Sequence, residues 1–555
     1  VLPLLVIALI SLASWIFLAL GWGFFWRTDQ RLPRSRGPRP SADWPAVVAV
    51  VPARDEAEVL PRTLPSLLAQ DYPGSLNIVL VDDASTDGTG DLARKLAAEA
   101  AADRPEAVVG LTVIGSSEPP EGWTGKLWAL RHGIAAAGGA EFLLLTDADI
   151  AHEPGSVRAL VEAATDHRLD LVSQMARLRV STGWERLIVP AFVYFFAMLY
   201  PFRWSNNPRS RVAAAAGGCS LVRRQVLAEA GGLDAIRDAV IDDVALARLV
   251  KRRGGRTWLG LADHVSSCRP YPRLADLWDM VARTAYAQLF WSPLLLAGTV
   301  LGLAVVFVAP VVATIVGIGT GDVAVAAAGL LAWSIMITTF TPMLRYYDQP
   351  VRNALTLPFT AALYLAMTMD SARRHRAGRG AAWKGRTYAA PEGKRAGQHT
   401  GPQHIGPQHV EPQHVEPQYV EPRHVRLRPV APSAQPENPS AQPENPSAQP
   451  ENPSAQPENV VRQRGRVDPG DVQGRAGDTV PSGSGARASL VVGRGIAQGA
   501  DQGAGQGVEA AAQRHRTVGQ RADEDARSGQ GQQCDAVAHR AADRIGADRR
   551  AGDQD

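Results

Sequence analysis

The sequence predicts an α/β domain, a largely parallel sheet covered by helices, joined to apolar membrane-spanning segments and followed by a low-complexity tail. Three observations predict it. Between Trp44 and about Tyr286, apolar runs ("AVVAVVP", "NIVLVDD", "LTVIG", "EFLLLTD") alternate with stretches of helical period ("GDLARKLAAEAA", "GKLWALRHGIAAA", "SVRALVEAAT"), as strands and covering helices do. Apolar runs of bilayer length flank that region. Every Trp and Phe, and all but one Tyr, lies before Ala389.

In chain order, Leu2 to Leu20 is apolar and uncharged, about the 20 residues that a bilayer span requires. Arg27, Arg31, Arg34, Arg36 and Arg39 follow it. A cleaved signal would carry its charges before the apolar run, so residues 1–22 are expected to be a retained anchor whose C-terminal side faces the cytoplasm. Val1 as first residue points to a non-standard or misplaced start. Residues 23–43 are a basic linker and 44–290 the catalytic-type domain. Inside it, "LIVPAFVYFFAMLYPF" (Leu187–Phe202) reads either as a buried core helix or as a helix in the membrane interface.

Residues 291–371 hold two further spans, Pro293–Ile318 and Val323–Phe340, and a shorter stretch, Asn353–Met369, interrupted by Pro358. A third full crossing would place Arg373, Arg374, Arg376 and Lys384 outside, against the positive-inside tendency. A re-entrant or interfacial segment is expected instead. Residues 372–388 are basic and juxtamembrane. From 389 to 555 the chain is rich in Gly, Gln, Pro and charged residues, with a five-residue repeat from Gly401 and "PSAQPEN" four times from Pro432. Such composition cannot bury enough apolar surface to offset ordering entropy, so a disordered tail is expected.

A formal net charge of +3 over 555 residues gives no basis for a nucleic-acid partner. Cys219, Cys268 and Cys534 are far apart and form no CxxC. That argues against a disulfide framework or a zinc site and suits a reducing compartment.

In open α/β sheets, ligands bind at the carboxyl ends of strands, and four acidic clusters fall at such positions. "VVPARDEA" (Val50–Ala57) ends a strand at Pro52. "VLVDDASTDGT" (Val79–Thr89) ends one at Asp82 and Asp83; capping of the next helix explains Ser85 and Asp87 but not two adjacent carboxylates. In "FLLLTDADIA" (Phe142–Ala151), Asp147 and Asp149 are alternate residues that an extended segment points the same way. They suit either a polar turn or a hard divalent cation held with substrate phosphates. "AVIDDVALARLVKRRGG" (Ala239–Gly255) opens a helix on Asp242 and Asp243, as dipole partners or as a base for an attacking hydroxyl.

Taken in order, "VVPARDE", "VDDASTDGT", "GKLWAL" (Gly125–Leu130), "TDAD", "GGCSLVRRQVLAEAGGLD" (Gly217–Asp234) and "DDVALA" resemble a family 2 glycosyltransferase of the GT-A fold. The likeness covers roughly Trp44 to Arg256. With its flanking spans the chain most resembles the hopene-associated branch, related to ceramide glucosyltransferases.

The resemblance implies that Pro52, Ala53 and Glu56 border the nucleotide, that Asp83 binds its base with Asp82 beside it, and that Lys126 and Asp147 contact the nucleotide sugar. It implies that Asp147 and Asp149 form a DxD pair for Mg²⁺ or Mn²⁺, with Asp149 the direct ligand. Asp243 matches the general base; Asp242 stands where Glu is commoner, and Asp55 where Asn is frequent. The expected reaction moves one sugar, with inversion, from a nucleotide sugar such as a UDP-sugar to a lipid hydroxyl, a hopanoid above all. The expected location is a bacterial inner membrane, catalytic domain in the cytoplasm.

Processive relatives and ceramide glucosyltransferases carry a Gln/Arg-x-x-Arg-Trp motif after the base. Here that region reads "MVARTAYAQLFW" (Met280–Trp291), and Arg203-Trp204 precedes Asp243. A processive synthase is therefore disfavoured; Arg283 or Gln288 could substitute. Two alternatives stay open: a polyprenyl-phosphate glycosyltransferase, and a non-catalytic membrane scaffold with an interaction tail.

Overall fold

A computed structural model describes residues 2–33, 44–103, 109–378, 382–383 and 386–387. The tail repeats, Cys534 and residues 34–43 of the basic linker lie outside the described residues. Eight strands form one sheet: β1 (Val47–Ala53), β2 (Leu76–Asp82), β3 (Gly110–Gly115), β4 (Phe142–Thr146), β5 (Ile150–His152), β6 (Leu171–Arg177), β7 (Cys219–Arg223) and β8 (Thr257–Ser267). Their order across the sheet is β3-β2-β1-β4-β7-β6-β8-β5.

Helix α1 (Leu2–Leu20) precedes the sheet, and α2 (Leu60–Leu68), α3 (Thr89–Asp103), α4 (Gly125–Ala136) and α5 (Ser156–Asp166) connect its strands. After β6 come α6 (Gly183–Leu199) and the single turn α7 (Phe202–Ser205). Helices α8 (Arg224–Glu229) and α9 (Asp242–Arg252) separate β7 from β8. The C-terminal part adds α10 (Leu274–Ala282), α11 (Ala285–Gln288), α12 (Pro293–Leu303), α13 (Ala309–Thr320), α14 (Val323–Tyr346) and α15 (Leu357–Arg376).

Strands β1 and β4 are buried at every position, which is why their apolar runs are continuous rather than alternating. One face packs on α2, α3 and α5, the other on α4, α8 and α9. Gly133 lets α4 approach closely: a Cβ there would overlap Val50 and come within 2.9 Å of Val81.

The sheet is mixed, not largely parallel throughout. β1, β2, β3 and β4 are parallel neighbours, as are β6 and β8, but β7 runs antiparallel to both β4 and β6, and β5 runs antiparallel to β8. The reason lies in the excursion after β6. It returns at Cys219, which pairs with Thr146 at the carboxyl end of β4. A chain that re-enters from that end must run backwards, because a parallel neighbour needs a crossover to the opposite end.

That excursion contains α6, for which the sequence left two readings open. A capping box starts it: Thr182 Oγ1 accepts from Glu185 N–H (3.2 Å) and Glu185 Oε2 from Thr182 N–H (2.9 Å). Ile188, Val189, Ala191, Val193, Tyr194 and Ala197 are buried in a cluster shared with α1, α14 and α15. Tyr194 and Thr339 of α14 share a hydroxyl hydrogen bond (2.9 Å), and Trp15 Nε1 of α1 donates to the Val306 carbonyl (2.6 Å). Helix α6 is thus the seam between the sheet domain and the apolar helices.

Among the described residues, three helical segments are long and apolar enough to cross a membrane: Leu2–Leu20, Pro293–Thr320 and Val323–Tyr346. The second joins α12 to α13 through a π-helical turn at Ala304–Val308, just before Pro310, which has no N–H to give. Helix α15, the segment expected to be re-entrant or interfacial, is not among them. Asp370 fastens it to α10 by accepting from Trp278 Nε1 (2.9 Å), and Arg374 pairs with Asp279 (2.7 Å).

Candidate active site

The carboxyl ends of β1, β2 and β4 and the start of α9 bring the acidic clusters together. The loops after β1 and β2 are laced to each other. Asp55, in the left-handed region at φ 51°, accepts from Thr86 N–H (2.7 Å) and donates its own N–H to Ser85 Oγ (3.0 Å). Glu56 N–H donates to Thr89 Oγ1 (2.9 Å), and Ala57 N–H to Asp87 Oδ2 (2.9 Å). Asp87 and Ser85, read as caps in the sequence, therefore also hold the loop after β1.

Pro52 and Ala53 end β1, and the Ala53 carbonyl accepts from Asp83 N–H (2.8 Å). Asp83 itself is fully buried: Ser116 Oγ donates to Oδ1 (2.6 Å) and Arg54 lies 3.6 Å from Oδ2. Asp82 is half-buried and receives Ser85 N–H on Oδ1 (2.9 Å).

The turn after β4 is fixed by remote hydrogen-bond partners. Thr63 Oγ1 donates to the Ala148 carbonyl (2.6 Å), Cys268 N–H to the Asp149 carbonyl (2.8 Å) and Asp147 N–H to the Gly218 carbonyl (3.3 Å). Each aspartate meets a cation. Lys126 Nζ, in the first turn of α4, is 2.8 Å from Asp147 Oδ1 and 3.2 Å from Asp242 Oδ2. Arg269, just past β8, is 3.2 Å from Asp149 Oδ2 and reaches Glu56 at 2.7 Å; Ser267 Oγ also donates to Asp149 Oδ2 (2.9 Å).

Burial pulls the Lys126 ammonium down, but Asp147 and then Asp242 outweigh it and hold it charged. Burial also pushes Asp147 above the usual carboxylate range; Lys126 opposes this and Asp149 adds to it.

Asp243 differs from the other acids. Its partners are backbone donors, Val244 N–H on Oδ1 (2.7 Å) and Gly217 N–H on Oδ2 (2.9 Å). Burial, then the Asp242 charge beside it, push its carboxyl up to about 7, against Lys126 and the two N–H groups. A base that titrates near neutrality suits proton abstraction from a hydroxyl. Gly217 keeps this corner open, since a Cβ there would stand 3.2 Å from Lys126 Nζ and 3.6 Å from Asp243 Oδ2.

From Asp242 and Asp243 a cavity of about 490 Å³ extends among the helices. Its walls include Phe192, Phe195, Phe196 and Leu199 of α6, Met280 of α10, Leu303 of α12 and Tyr364 of α15, with Lys126, Arg283, Thr284 and Gln288 among its polar groups. Tyr200 OH donates to Gln288 Oε1 (2.6 Å). Arg203 and Trp204 instead face the chain after α1, pairing with Asp29 and packing on Trp22.

All ten residues given roles from the sequence thus lie at adjoining strand ends, loops and helix starts. Arg269 and Ser267 were missed, and Gly217, quoted within a motif, was given no role of its own. Arg269 follows a strand, so extending the carboxyl-end rule to β8 would have found it.

Residues 48–231 match the family Glycosyl transferase family 2. The chain carries a glycosyltransferase family 2 domain. Its fold is GT-A-like, an α/β domain with a mixed sheet. No curated protein matches the chain. Among solved structures it is similar to the mannosyltransferase PcManGT from Pyrobaculum calidifontis, in complex with GDP-Man and Mn²⁺. Identity is 20%, covering 67% of this chain and 99% of that one, at a TM-score of 0.44. It is also similar to glucosyl-3-phosphoglycerate synthase from Mycobacterium tuberculosis with Mn²⁺, UDP-glucose and phosphoglyceric acid (17%, 47% and 86%, TM-score 0.30). A third is S. aureus TarS 1-349 with UDP-GlcNAc (14%, 60% and 92%, TM-score 0.28).

Among the described residues, no group of three or more His, Cys, Asp or Glu is placed to hold a metal ion by itself. The donor set on offer is the Asp147–Asp149 pair. Two carboxylates fit a Mg²⁺ or Mn²⁺ that draws its remaining ligands from diphosphate and water, in competition with Lys126 and Arg269.

Proposed function

We propose that this protein is a membrane-anchored, inverting glycosyltransferase that moves one sugar from a nucleotide sugar, such as a UDP-sugar, to the hydroxyl of a lipid. The observation that carries the reading is the aromatic-walled cavity of about 490 Å³ that opens onto Asp243 from between the apolar helices. Small-ligand sites are mostly apolar clefts of about 300–1,000 Å³ with a few placed polar groups. The family 2 match supports the donor side. The resemblance to the hopene-associated branch points to a hopanoid as the lipid, and to an inner membrane with the catalytic domain in the cytoplasm.

Pro52, Ala53 and Glu56 border the nucleotide, and Asp83 binds its base with Asp82 beside it. Lys126 holds Asp147 and Asp242 together, so donor and acceptor sides share one cation. A Mg²⁺ or Mn²⁺ held by Asp149 and Asp147 would supply positive charge to the leaving diphosphate. Asp243 takes the proton from the acceptor hydroxyl. The acceptor oxygen forms its bond to the anomeric carbon as the bond to the diphosphate oxygen breaks, and the nucleoside diphosphate leaves with the electron pair.

A second reading, transfer to a polyprenyl phosphate, draws support from Arg283 in the cavity wall. A phosphate is already anionic and needs less help from a base. Asp243→Asn separates the two: near-complete loss of transfer is expected for a hydroxyl acceptor, and retained turnover would favour the phosphate. Lipid analysis of cells with and without the protein tests the whole reading. One glycosylated lipid should disappear; an unchanged glycolipid profile would overturn it, and would also turn attention to a scaffold role.

A further inference from the structure

Arg269 stands between two acids of the donor side, and the transfer chemistry above makes no use of it. Its Nη2 is 2.8 Å from Glu56 Oε1 and 2.7 Å from Oε2, and its Nε is 3.2 Å from Asp149 Oδ2. Glu56 and Asp149 are only 7% and 9% exposed, so their charges need a partner. The backbone beneath Arg269 is fixed, since Cys268 N–H donates to the Asp149 carbonyl (2.8 Å).

The two contacts are unequal. The grip on Glu56 uses both carboxylate oxygens at short range, whereas the Asp149 contact is single and lies at the long end of the hydrogen-bond range. The guanidinium can therefore keep Glu56 as a pivot while Nε leaves Asp149.

We propose that Arg269 is a donor-binding residue that exchanges partners, occupying Asp149 before the donor arrives and passing to the diphosphate when a divalent cation takes Asp149. The inference rests on the sugar-transfer reading and adds to it a residue and a coupling. A guanidinium and a divalent cation on one carboxylate repel each other, so each weakens the other's hold. A diphosphate gives Arg269 a new anionic partner and removes that penalty. Cation and nucleotide then raise each other's affinity by the same factor, as linkage requires.

The test is Mn²⁺ binding to the purified full-length protein in detergent, read by the electron paramagnetic resonance of free Mn²⁺, alone and with saturating UDP or GDP. The wild type should bind Mn²⁺ weakly alone and about tenfold tighter with the matching nucleotide. Arg269→Gln should bind Mn²⁺ alone about tenfold tighter than the wild type and gain little from nucleotide. Arg269→Lys, which keeps the charge, should stay near the wild type. Equal Mn²⁺ affinity in wild type and Arg269→Gln, with nucleotide enhancement intact in both, overturns the exchange and leaves the sugar-transfer reading standing. A wild type that binds Mn²⁺ equally well with and without nucleotide overturns the exchange even if the Gln variant does not fold. No Mn²⁺ binding by the wild type with either nucleotide overturns both.

Discussion

The two acid pairs, Asp147–Asp149 and Asp242–Asp243, read alike as short acidic motifs but sit in different surroundings. Both members of the first pair meet a protein cation, Lys126 or Arg269. In the second pair only Asp242 does, through Lys126, while Asp243 is held by two backbone N–H groups and faces an apolar cavity. In the proposed reaction the first pair exchanges one cation for another. The second is arranged to hold a proton near neutral pH. Motif and exposure alone would not separate the two tasks; the identity of the partner does.

The largest effects should come from breaking the first pair. Asp149→Ala should abolish Mn²⁺-dependent nucleotide binding, seen by calorimetry as loss of the metal-dependent heat. It should also leave Arg269 bound only to Glu56 within this trio. Breaking the second pair should spare the donor: Asp243→Asn should lower transfer by about 10²–10⁴-fold, the range of general-base catalysis, with nucleotide affinity unchanged. If both variants lose nucleotide binding equally, the division of labour is wrong.

A smaller effect sharpens the contrast. In the proposed reaction Asp243 acts deprotonated, so kcat/KM should rise with pH through about 7. Asp242→Asn removes the neighbouring charge that helps to raise Asp243, and should move this limb to lower pH. The stability sign follows as well. The folded protein holds the Asp243 proton to about 7, whereas the free carboxyl loses it near 3.8. That contribution to stability is full below about 3.8 and declines as pH rises through about 7. Asp243→Asn should therefore melt at or above the wild-type temperature at pH 8, and a lower melting temperature there would show that Asp243 is stabilised as a carboxylate.

The smallest effect is expected at Gly217. Ala would place its Cβ 3.2 Å from Lys126 Nζ and 3.6 Å from Asp243 Oδ2. A long, flexible lysine can yield by a few tenths of an ångström, so a stability loss of about 1 kcal/mol or less is expected. Transfer should fall more than nucleotide affinity does.

What was legible in the sequence was local. The strands β1, β2 and β4 announce themselves because both faces are largely buried and their residues are mostly apolar, and the acids cluster where those strands stop. The direction of β7 was not legible, because it depends on where an excursion from 178 to 218 re-enters the sheet. Arg269 was missed for a related reason. Its meaning comes from Glu56 and Asp149, which lie 213 and 120 residues earlier in the chain. The cavity, too, has no local signature, since α6, α10, α12 and α15 each contribute a few side chains. The aromatic run in α6 hinted at a lipid boundary; only the packing of Tyr194 against Thr339 assigns which face is seam and which lines the cavity.

In the proposed reaction a lipid hydroxyl reaches Asp243 through that cavity. The most direct measurement incubates the purified full-length protein with a radiolabelled nucleotide sugar, Mn²⁺ and vesicles of extracted bacterial lipid, and follows label into the organic phase. One labelled neutral glycolipid, stable to mild acid, should be formed by the wild type and be absent with Asp243→Asn. Label that stays in the aqueous phase, or an acid-labile phospholipid-linked sugar formed equally by both proteins, would contradict it.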